Sequence, residues 1–215
     1  MSWTEHMMEE TAPLFDRIYE HPFLQELRTG TLGNDTLAFY FEQNVHYIDA
    51  VLRCRAIVAA KAQNDEIRDF FLRNTQLILD EYYHQEEMLR NVGGTFEAPV
   101  APTLYAYSRH LFYLAFARDP VEYLGSFLPC PLSYDAIGYQ LADAPLTEFQ
   151  ADWWEFYMSE SHHTLCSDYR DFVDRYSQGL SDERRAQMLD SFRIGVNYEY
   201  MFWDMAYRKE RWPLG

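Results

Sequence analysis

The chain has 215 residues, of which 48% are hydrophobic and 17% aromatic, enough for a sizeable buried core. Asp and Glu outnumber Lys and Arg by 34 to 18, which gives a formal net charge of −16 at pH 7. Such a surface repels phosphate backbones and anionic lipids, so nucleic-acid and membrane partners are disfavoured.

Helical periodicity dominates the sequence, and alternating strand patterns are essentially absent. In chain order the pattern predicts helices over about Ser2–Glu20, Pro22–Arg28, Asn34–Ala60, Asp65–Val92, Thr103–Arg118, Pro120–Leu141, Thr147–Tyr176 and Ser181–Arg211. There is no internal repeat, low-complexity segment or long linker. We therefore expect one all-α domain over residues 1–215, a bundle of seven or eight helices.

The cysteines and the N-terminus indicate the compartment. Cys54, Cys130 and Cys166 are widely spaced and odd in number, so they form neither a disulfide framework nor a metal-type motif. The first residues lack the basic and apolar regions of a signal peptide. No uncharged apolar run approaches the roughly 18 residues that cross a bilayer. These features predict a cytoplasmic protein.

Within the predicted helix Pro120–Leu141, Cys130 lies between Pro129 and Pro131. Each proline removes a backbone N–H donor and disfavours helical geometry in the residue before it, so the helix is predicted to kink or loosen here. A lone buried cysteine is most often a small hydrophobe. A core cysteine needs no flanking prolines, however, whereas a cysteine that presents its sulfur to a small molecule benefits from them.

Polar side chains also fall on the apolar stripes of four predicted helices. They are Asn44, Tyr47, Tyr107, Tyr134 and Glu199. Tyr134 lies four residues after Cys130 and therefore on the same helix face. Core tyrosines with one satisfied hydroxyl are common, but a buried acid such as Glu199 needs partners or takes a raised pKa. Together these side chains predict a pocket at the centre of the bundle.

The residue types indicate what chemistry such a pocket supports. An ionised thiol is a nucleophile, and a nearby carboxylic acid with a raised pKa donates a proton to the group under attack. Tyrosine rings stack on flat heteroaromatic molecules, and the amide of Asn44 suits an aminopyrimidine-like edge. The sequence has no Gly-rich phosphate loop, so we do not expect a phosphorylated nucleotide as substrate. It also has no Ser-His-Asp arrangement.

A metal centre is the competing interpretation of the same bundle. The segments Glu81–His84 and Glu160–His163 both contain Glu-x-x-His, the helical spacing of di-iron carboxylate proteins. Glu42 is a candidate third ligand, but the full pattern needs a further inward Glu, and Thr103–Arg118 contains none. We expect no metal and no cofactor, with a di-iron oxygenase as the weaker alternative.

Several short segments occur together in a specific order and spacing. They are His21–Phe23, Gly30–Leu32, Pro102–Tyr107, Leu128–Cys130 with Tyr134, and the long block Tyr198–Glu210. On these segments the sequence resembles, nearly end to end, the TenA family (thiaminase II, aminopyrimidine aminohydrolase). The resemblance implies a haem-oxygenase-like helical fold and, as assembly, a homotetramer.

The resemblance also implies an activity, the hydrolytic release of an amino or thiazolium group from the methyl carbon of a pyrimidine. Such reactions salvage breakdown products of thiamine toward hydroxymethylpyrimidine. By motif position, Cys130 corresponds to the nucleophile that adds to the ring, and Glu199 to its general acid. The tyrosines expected to orient the ring are Tyr47, Tyr107, Tyr134 and, on the penultimate helix, Tyr157.

Two positions depart from the family pattern. Asn44 stands where the family usually carries an aspartate that bonds the pyrimidine edge, and an amide supplies no negative charge for a protonated ring nitrogen. Pro131 follows the cysteine in place of an aromatic residue. A non-catalytic pyrimidine-binding protein, or an enzyme for a divergent pyrimidine, is therefore the main alternative function.

Overall fold

The computed structural model describes residues 1–214. Within that range it contains eleven α-helices and no strand, and the all-α class is the one that the sequence predicts. The helices are α1 (Trp3–Tyr19), α2 (Pro22–Thr29), α3 (Asn34–Lys61), α4 (Asp65–Arg73), α5 (Thr75–Asn91), α6 (Pro102–Ala117), α7 (Pro120–Phe127), α8 (Pro129–Leu141), α9 (Glu148–Glu155), α10 (Glu160–Ser177) and α11 (Asp182–Arg208). None of the described helices is both long and apolar enough to cross a membrane.

Local sequence fixes several helix ends. At α1, Ser2 and Glu5 form a capping box in which each side chain bonds the backbone N–H of the other. Thr147 and Gln150 form the same arrangement at α9. Helix α2 ends at Gly30, whose φ of 69° and ψ of 19° are left-handed, a conformation that glycine adopts without strain.

The count of seven or eight helices is wrong because three predicted long helices are each divided, Pro120–Leu141 at the predicted kink and two others at breaks that the sequence did not predict. The segment Asp65–Val92 breaks at Asn74, whose backbone (φ −93°, ψ 6°) ends α4 and begins α5. The segment Thr147–Tyr176 breaks in a turn over residues 156–159, where the Ser159 hydroxyl accepts from the first turn of α10. Ser159 bonds a nearby backbone group in a non-helical conformation, whereas the Asn74 side chain makes no bond to the start of α5. Apolar periodicity does not register such short interruptions.

The predicted kink at Leu128 is present as the break between α7 and α8. Leu128 keeps a helical backbone (φ −57°, ψ −34°), and its carbonyl still accepts from Leu132 N at 3.4 Å. Pro129 and Pro131 have no N–H, so the two hydrogen bonds that they would donate to the preceding turn are missing. The backbone therefore stays helical at Leu128, with a locally weakened hydrogen-bond ladder.

The closest helix crossing is that of α7 over α11, and it depends on two glycines. A Cβ on Gly195 would lie 2.3 Å from the carbonyl oxygen of Ser126, and a Cβ on Gly125 would lie 2.4 Å from that of Met188. Real side chains do not tolerate such distances, so only glycine permits this approach. The crossing holds the start of α8 against the middle of α11.

The buried apolar side chains form one continuous cluster, and aromatic rings dominate its centre. The rings of Trp154 and Trp203 are both fully buried and lie 5.7 Å and 5.2 Å from the ring of Tyr134. Tyr40 stacks on Trp203, and its hydroxyl is 2.7 Å from the Tyr134 hydroxyl. This aromatic layer fixes Tyr134 by packing on one side and by a hydrogen bond at its tip.

Candidate active site

A cavity lies at the centre of the bundle, lined by side chains from α3, α5, α7, α8, α10 and α11 and from the turn between α9 and α10. It contains about 580 Å³ of space that no protein atom fills, its open mouth included. Six of the seven predicted site residues line it: Asn44, Tyr47, Cys130, Tyr134, Tyr157 and Glu199. The seventh, Tyr107, is buried directly behind Glu199.

Cys130 reaches the cavity from the first turn of α8. Burial and the nearby Glu199 raise the pKa of its thiol well above the ordinary value, while a hydrogen bond from the Tyr47 hydroxyl lowers it. In the cavity Cys130 is therefore a neutral thiol, with one neighbouring hydroxyl that stabilises its ionised form.

Glu199 is the carboxylic acid on the α11 side of the cavity, and only 3% of its surface is exposed. The Tyr107 hydroxyl donates to its Oε1 at 2.8 Å, and the Tyr47 hydroxyl lies 3.2 Å from that of Tyr107. Burial raises the pKa of Glu199 to about 7, against a smaller lowering by the Tyr107 hydrogen bond. Hydrogen bonds therefore connect a protonatable acid to two tyrosine hydroxyls, the second of which, Tyr47, lines the cavity with Cys130.

A second hydrogen-bonded chain begins at Asn44. Its Nδ2 donates to Oε1 of Gln85 at 3.0 Å, and Nε2 of Gln85 donates to the Tyr157 hydroxyl at 3.3 Å. The Tyr157 hydroxyl in turn donates to Oε1 of Glu81 at 2.8 Å. Burial raises the pKa of Glu81 to about 7, and the bond from Tyr157 lowers it by less. The cavity thus contains a second carboxylic acid that stays largely protonated below about pH 7.

Sequence reasoning did not assign Glu81 or Gln85 to the pocket. Helix α5 has a buried stripe at helical spacing, formed by Ile78, Glu81, Gln85 and Met88. This stripe would have predicted that Glu81 and Gln85 face inward. Tyr157 does line the cavity, but the prediction that it lies on the penultimate helix is wrong. It is in the turn between α9 and α10, and that turn places its hydroxyl against Glu81.

The structure does not bring the predicted di-iron ligands together. Glu81 lines the cavity, but Glu160 is exposed at the start of α10 and His163 Nδ1 lies 2.5 Å from Asp135 Oδ1. Glu42 Oε1 accepts from the backbone of the loop after α5. Among residues 1–214, the one group of three side chains close enough to share a metal is Asp135, His162 and Cys166. The predicted di-iron ligands are not part of it.

We compared the chain with known proteins. The sequence profile of the TENA/THI-4/PQQC family matches residues 8–209. Aminopyrimidine aminohydrolases of Staphylococcus epidermidis and Bacillus subtilis are 24% and 25% identical to it; the alignments cover 100% and 99% of this chain and 98% and 92% of theirs.

Solved structures show the same fold. A TenA homologue from Pyrococcus furiosus superposes with a TM-score of 0.85 at 18% identity, over 95% of this chain and 99% of that one. Haem oxygenase-1 from Synechocystis gives a TM-score of 0.71 at 13% identity, over 95% and 91% of the two chains. The predicted haem-oxygenase-like fold and the resemblance to TenA are confirmed. Because the family profile spans nearly the whole sequence, this chain belongs to the TENA/THI-4/PQQC family.

Proposed function

We propose that this protein is a hydrolase of thiamine salvage that converts an aminomethylpyrimidine, or thiamine itself, to hydroxymethylpyrimidine. Full-length similarity to aminopyrimidine aminohydrolases supports the reaction class. The observation that carries the proposal is the connection between Cys130 and Glu199, a thiol and a buried acid joined through two tyrosine hydroxyls in one cavity. This is the equipment for covalent catalysis with general acid assistance.

In the first step the Cys130 sulfur bonds to a ring carbon of the pyrimidine, and a ring nitrogen takes up the thiol proton. Electrons of the amino-substituted ring then expel the leaving group, so the bond between the methylene carbon and that group's nitrogen breaks. Glu199 donates its proton to the departing nitrogen when that group is an amine, and becomes a carboxylate. An exocyclic carbon–carbon double bond remains on the ring.

In the second step water adds to the exocyclic carbon and loses a proton. After release of an amine the Glu199 carboxylate takes that proton; after release of a neutral thiazole Glu199 is still protonated, and the proton passes to solvent. The carbon–sulfur bond then breaks, the ring regains aromaticity, and its nitrogen proton returns to the sulfur. The protein ends the cycle in its starting protonation state, with neutral Cys130 and neutral Glu199. A pKa of about 7 for Glu199 suits both roles, because the group gives and takes a proton near neutral pH.

The decisive test is turnover by wild type and Cys130→Ser with aminomethylpyrimidine and with thiamine. We expect Cys130→Ser to lower the rate to below about one-thousandth of wild type while keeping the fold and pyrimidine binding, because only the nucleophile is removed. Cys54→Ser is the matched control, since Cys54 is fully buried away from the cavity. If wild type releases hydroxymethylpyrimidine from neither substrate, the proposed reaction is wrong.

Asn44 favours a second candidate function, a pyrimidine-binding protein without efficient chemistry. One hydrogen of its amide is donated to Gln85, and the side chain supplies no negative charge to the cavity. Under this alternative, purified protein binds pyrimidines but does not turn them over, and Asn44→Asp gains activity. A wild type that is fully active would exclude it.

A further inference from the structure

Three side chains of metal-ligand type lie together next to the cavity and take no part in the mechanism above. They are Asp135 on α8 and His162 and Cys166 on α10, and one ligand atom of each lies within 4.8 Å of the other two. All three are buried, with exposed fractions of 5%, 3% and 0%. His162 and Cys166 are four residues apart and therefore share one face of α10. Buried polar groups are normally paired, so the contacts of these three need an explanation.

The hydrogen bonds of His162 are not satisfied within the protein. Its Nδ1 is buried and has no hydrogen-bond partner among residues 1–214, and its Nε2 lies 3.5 Å from the Cys166 sulfur. The Cys166 thiol has a single hydrogen, and the carbonyl oxygen of Pro131 lies 3.4 Å from Sγ as its acceptor. Nε2 of His162 then faces only a sulfur, which is a weak acceptor. Neither tautomer of the ring is fully hydrogen-bonded, whereas a metal ion at Nε2 would pair that nitrogen.

The separation of Nε2 and Sγ suits a tetrahedral metal ion. Zn²⁺ takes an imidazole nitrogen at about 2.0–2.1 Å and a thiolate sulfur at about 2.3 Å, so two such ligands lie about 3.6 Å apart. The 3.5 Å between His162 Nε2 and Cys166 Sγ matches this value. Since the ligand atoms lie within 4.8 Å of one another, the carboxylate of Asp135 has to approach by about 1 Å to complete a set of three. A water takes the fourth position in such a site.

The charges at the site suit a divalent cation. The Asp135 carboxylate and the Cys166 thiolate supply two negative charges, and a thiol that coordinates a metal loses its proton. Nδ1 of His163 lies 2.5 Å from Oδ1 of Asp135, and Nη2 of Arg170 donates to Oδ2 at 3.5 Å. Hydrogen bonds of this kind orient a carboxylate ligand. Nitrogen and sulfur ligands select zinc-type ions over Mg²⁺ and Ca²⁺, which prefer oxygen.

We propose that Asp135, His162 and Cys166 bind a zinc-type divalent cation, which cross-links α8 to α10. Helix α8 presents Cys130, and the prolines at its start weaken its hydrogen-bond ladder, so the ion fastens this helix where its own backbone holds it least. The role is structural and goes beyond the proposed hydrolysis. Cysteine spacing did not predict the site, because its ligands come from two helices.

The test is metal binding by the full chain after treatment with a chelator and dialysis. Calorimetric titration with Zn²⁺ should show about one ion bound per chain. Titration with Co²⁺ should give a near-ultraviolet absorption band, because a thiolate is one of its ligands. Cys166→Ser should lose this band and bind Zn²⁺ more than about 100-fold more weakly, since loss of a ligand costs more than the roughly 10–100-fold for its hydrogen-bonding partners.

Three variants serve as controls. Cys54→Ser is the matched one, because Cys54 is also fully buried but lies on α3, outside the cavity; it should keep the band and the affinity. Cys130→Ser should keep both as well, which separates this site from a metal bound by the cavity thiol. Asp135→Asn guards against misfolding of Cys166→Ser, because it leaves the thiolate in place; it should retain the band but bind Zn²⁺ at least about tenfold more weakly.

Thermal unfolding provides a second readout. At a free Zn²⁺ concentration 100 times Kd, the Tm of wild type should rise by about 5–10 °C, and that of Cys166→Ser should not rise. If wild type binds no stoichiometric Zn²⁺, or if Cys166→Ser retains the Co²⁺–thiolate band, the site is wrong. Loss of the band in Cys130→Ser would place the ion in the cavity and also overturn the inference. The proposed hydrolysis is tested separately, by turnover.

Discussion

The ionisable side chains of the cavity are held in their neutral forms. Burial raises the pKa of Glu81 and Glu199 to about 7, and raises that of the Cys130 thiol well above its ordinary value. An apolar cavity without cations makes each isolated negative charge costly. Charge therefore develops during the reaction, when the substrate ring provides a partner for it.

For Glu199 this gives a kinetic prediction. Glu199→Gln cannot donate a proton, so kcat should fall by about 10² to 10⁴. Wild-type kcat should also decline as pH rises through about 7, where the carboxyl group ionises, and this decline should be absent in the variant. The measurement is a pH–rate profile with an amine-releasing substrate. Glu183→Gln, an exposed change on the same helix, is the control; an unchanged rate in Glu199→Gln would remove its role as acid.

The same two acids affect stability. With folded pKa values of about 7 against 4.5 in the unfolded chain, Glu81 and Glu199 bind more protons when folded, so the free energy of unfolding falls as pH rises from about 4.5 to 7. The loss is about 3 kcal/mol per group. We expect Glu81→Gln/Glu199→Gln to gain stability relative to wild type between pH 5 and pH 8 in urea unfolding. Parallel curves for the two proteins would contradict these pKa values.

At the level of the helices, the crossing of α7 over α11 gives a stability prediction. Gly195→Ala would place a methyl group 2.3 Å from the Ser126 carbonyl and 2.9 Å from Pro129, so the helices must separate. Overpacking of this kind costs about 1–3 kcal/mol, which is several degrees in Tm for a chain of this size. Gly179→Ala is the control, because its nearest neighbour would be 3.7 Å away. Equal Tm values for the two variants would show that the crossing tolerates a side chain.

Helix type and the long helices were predictable from sequence, because strong periodicity and clear end signals define them. The prediction for α3, Asn34–Ala60, ends one residue short of the observed Lys61. Breaks without glycine or proline, such as that at Asn74, were not predictable. Residues on the apolar stripes of the predicted helices, including Tyr107 and Glu199, are buried as predicted. The inward position of Glu81 was not predicted, because its stripe is clear only when α5 is treated as a helix separate from α4.

For the whole molecule, the homotetramer implied by family resemblance remains a prediction. Apolar side chains are exposed along one stripe of α6, where Tyr105 and Phe116 are 46% and 62% exposed. Ile194 and Met201, one stripe of the adjacent α11, are 44% and 42% exposed. Exposed apolar stripes of this kind are typical of subunit contacts.

Light scattering after gel filtration should therefore give a mass of about four chains. Phe116→Glu should lower that mass, because it places a charge in the stripe on α6. Leu72→Glu should leave it unchanged, since Leu72 is also exposed but lies on α4, outside this surface. A monomeric wild type, or equal masses for both variants, would exclude this surface as the subunit contact.

Sequence alone predicts the fold class of the whole molecule but not the shape of its cavity. Helical periodicity suffices to predict an all-α chain, since it does not depend on how the helices are rotated about their axes. Which atoms meet does depend on those rotations. That is why Asn44 was predicted to face inward, whereas its bond to Gln85 was not foreseen.

The packing of Tyr134 gives the protein an intrinsic optical signal. Tyr134 lines the cavity, and the fully buried indoles of Trp154 and Trp203 lie against its ring. A flat heterocycle stacked on Tyr134 changes the polarity and mobility around both indoles, so tryptophan emission should shift in intensity when the cavity fills. Fluorescence titration of Cys130→Ser would then rank a panel of pyrimidines by affinity without a label and without turnover.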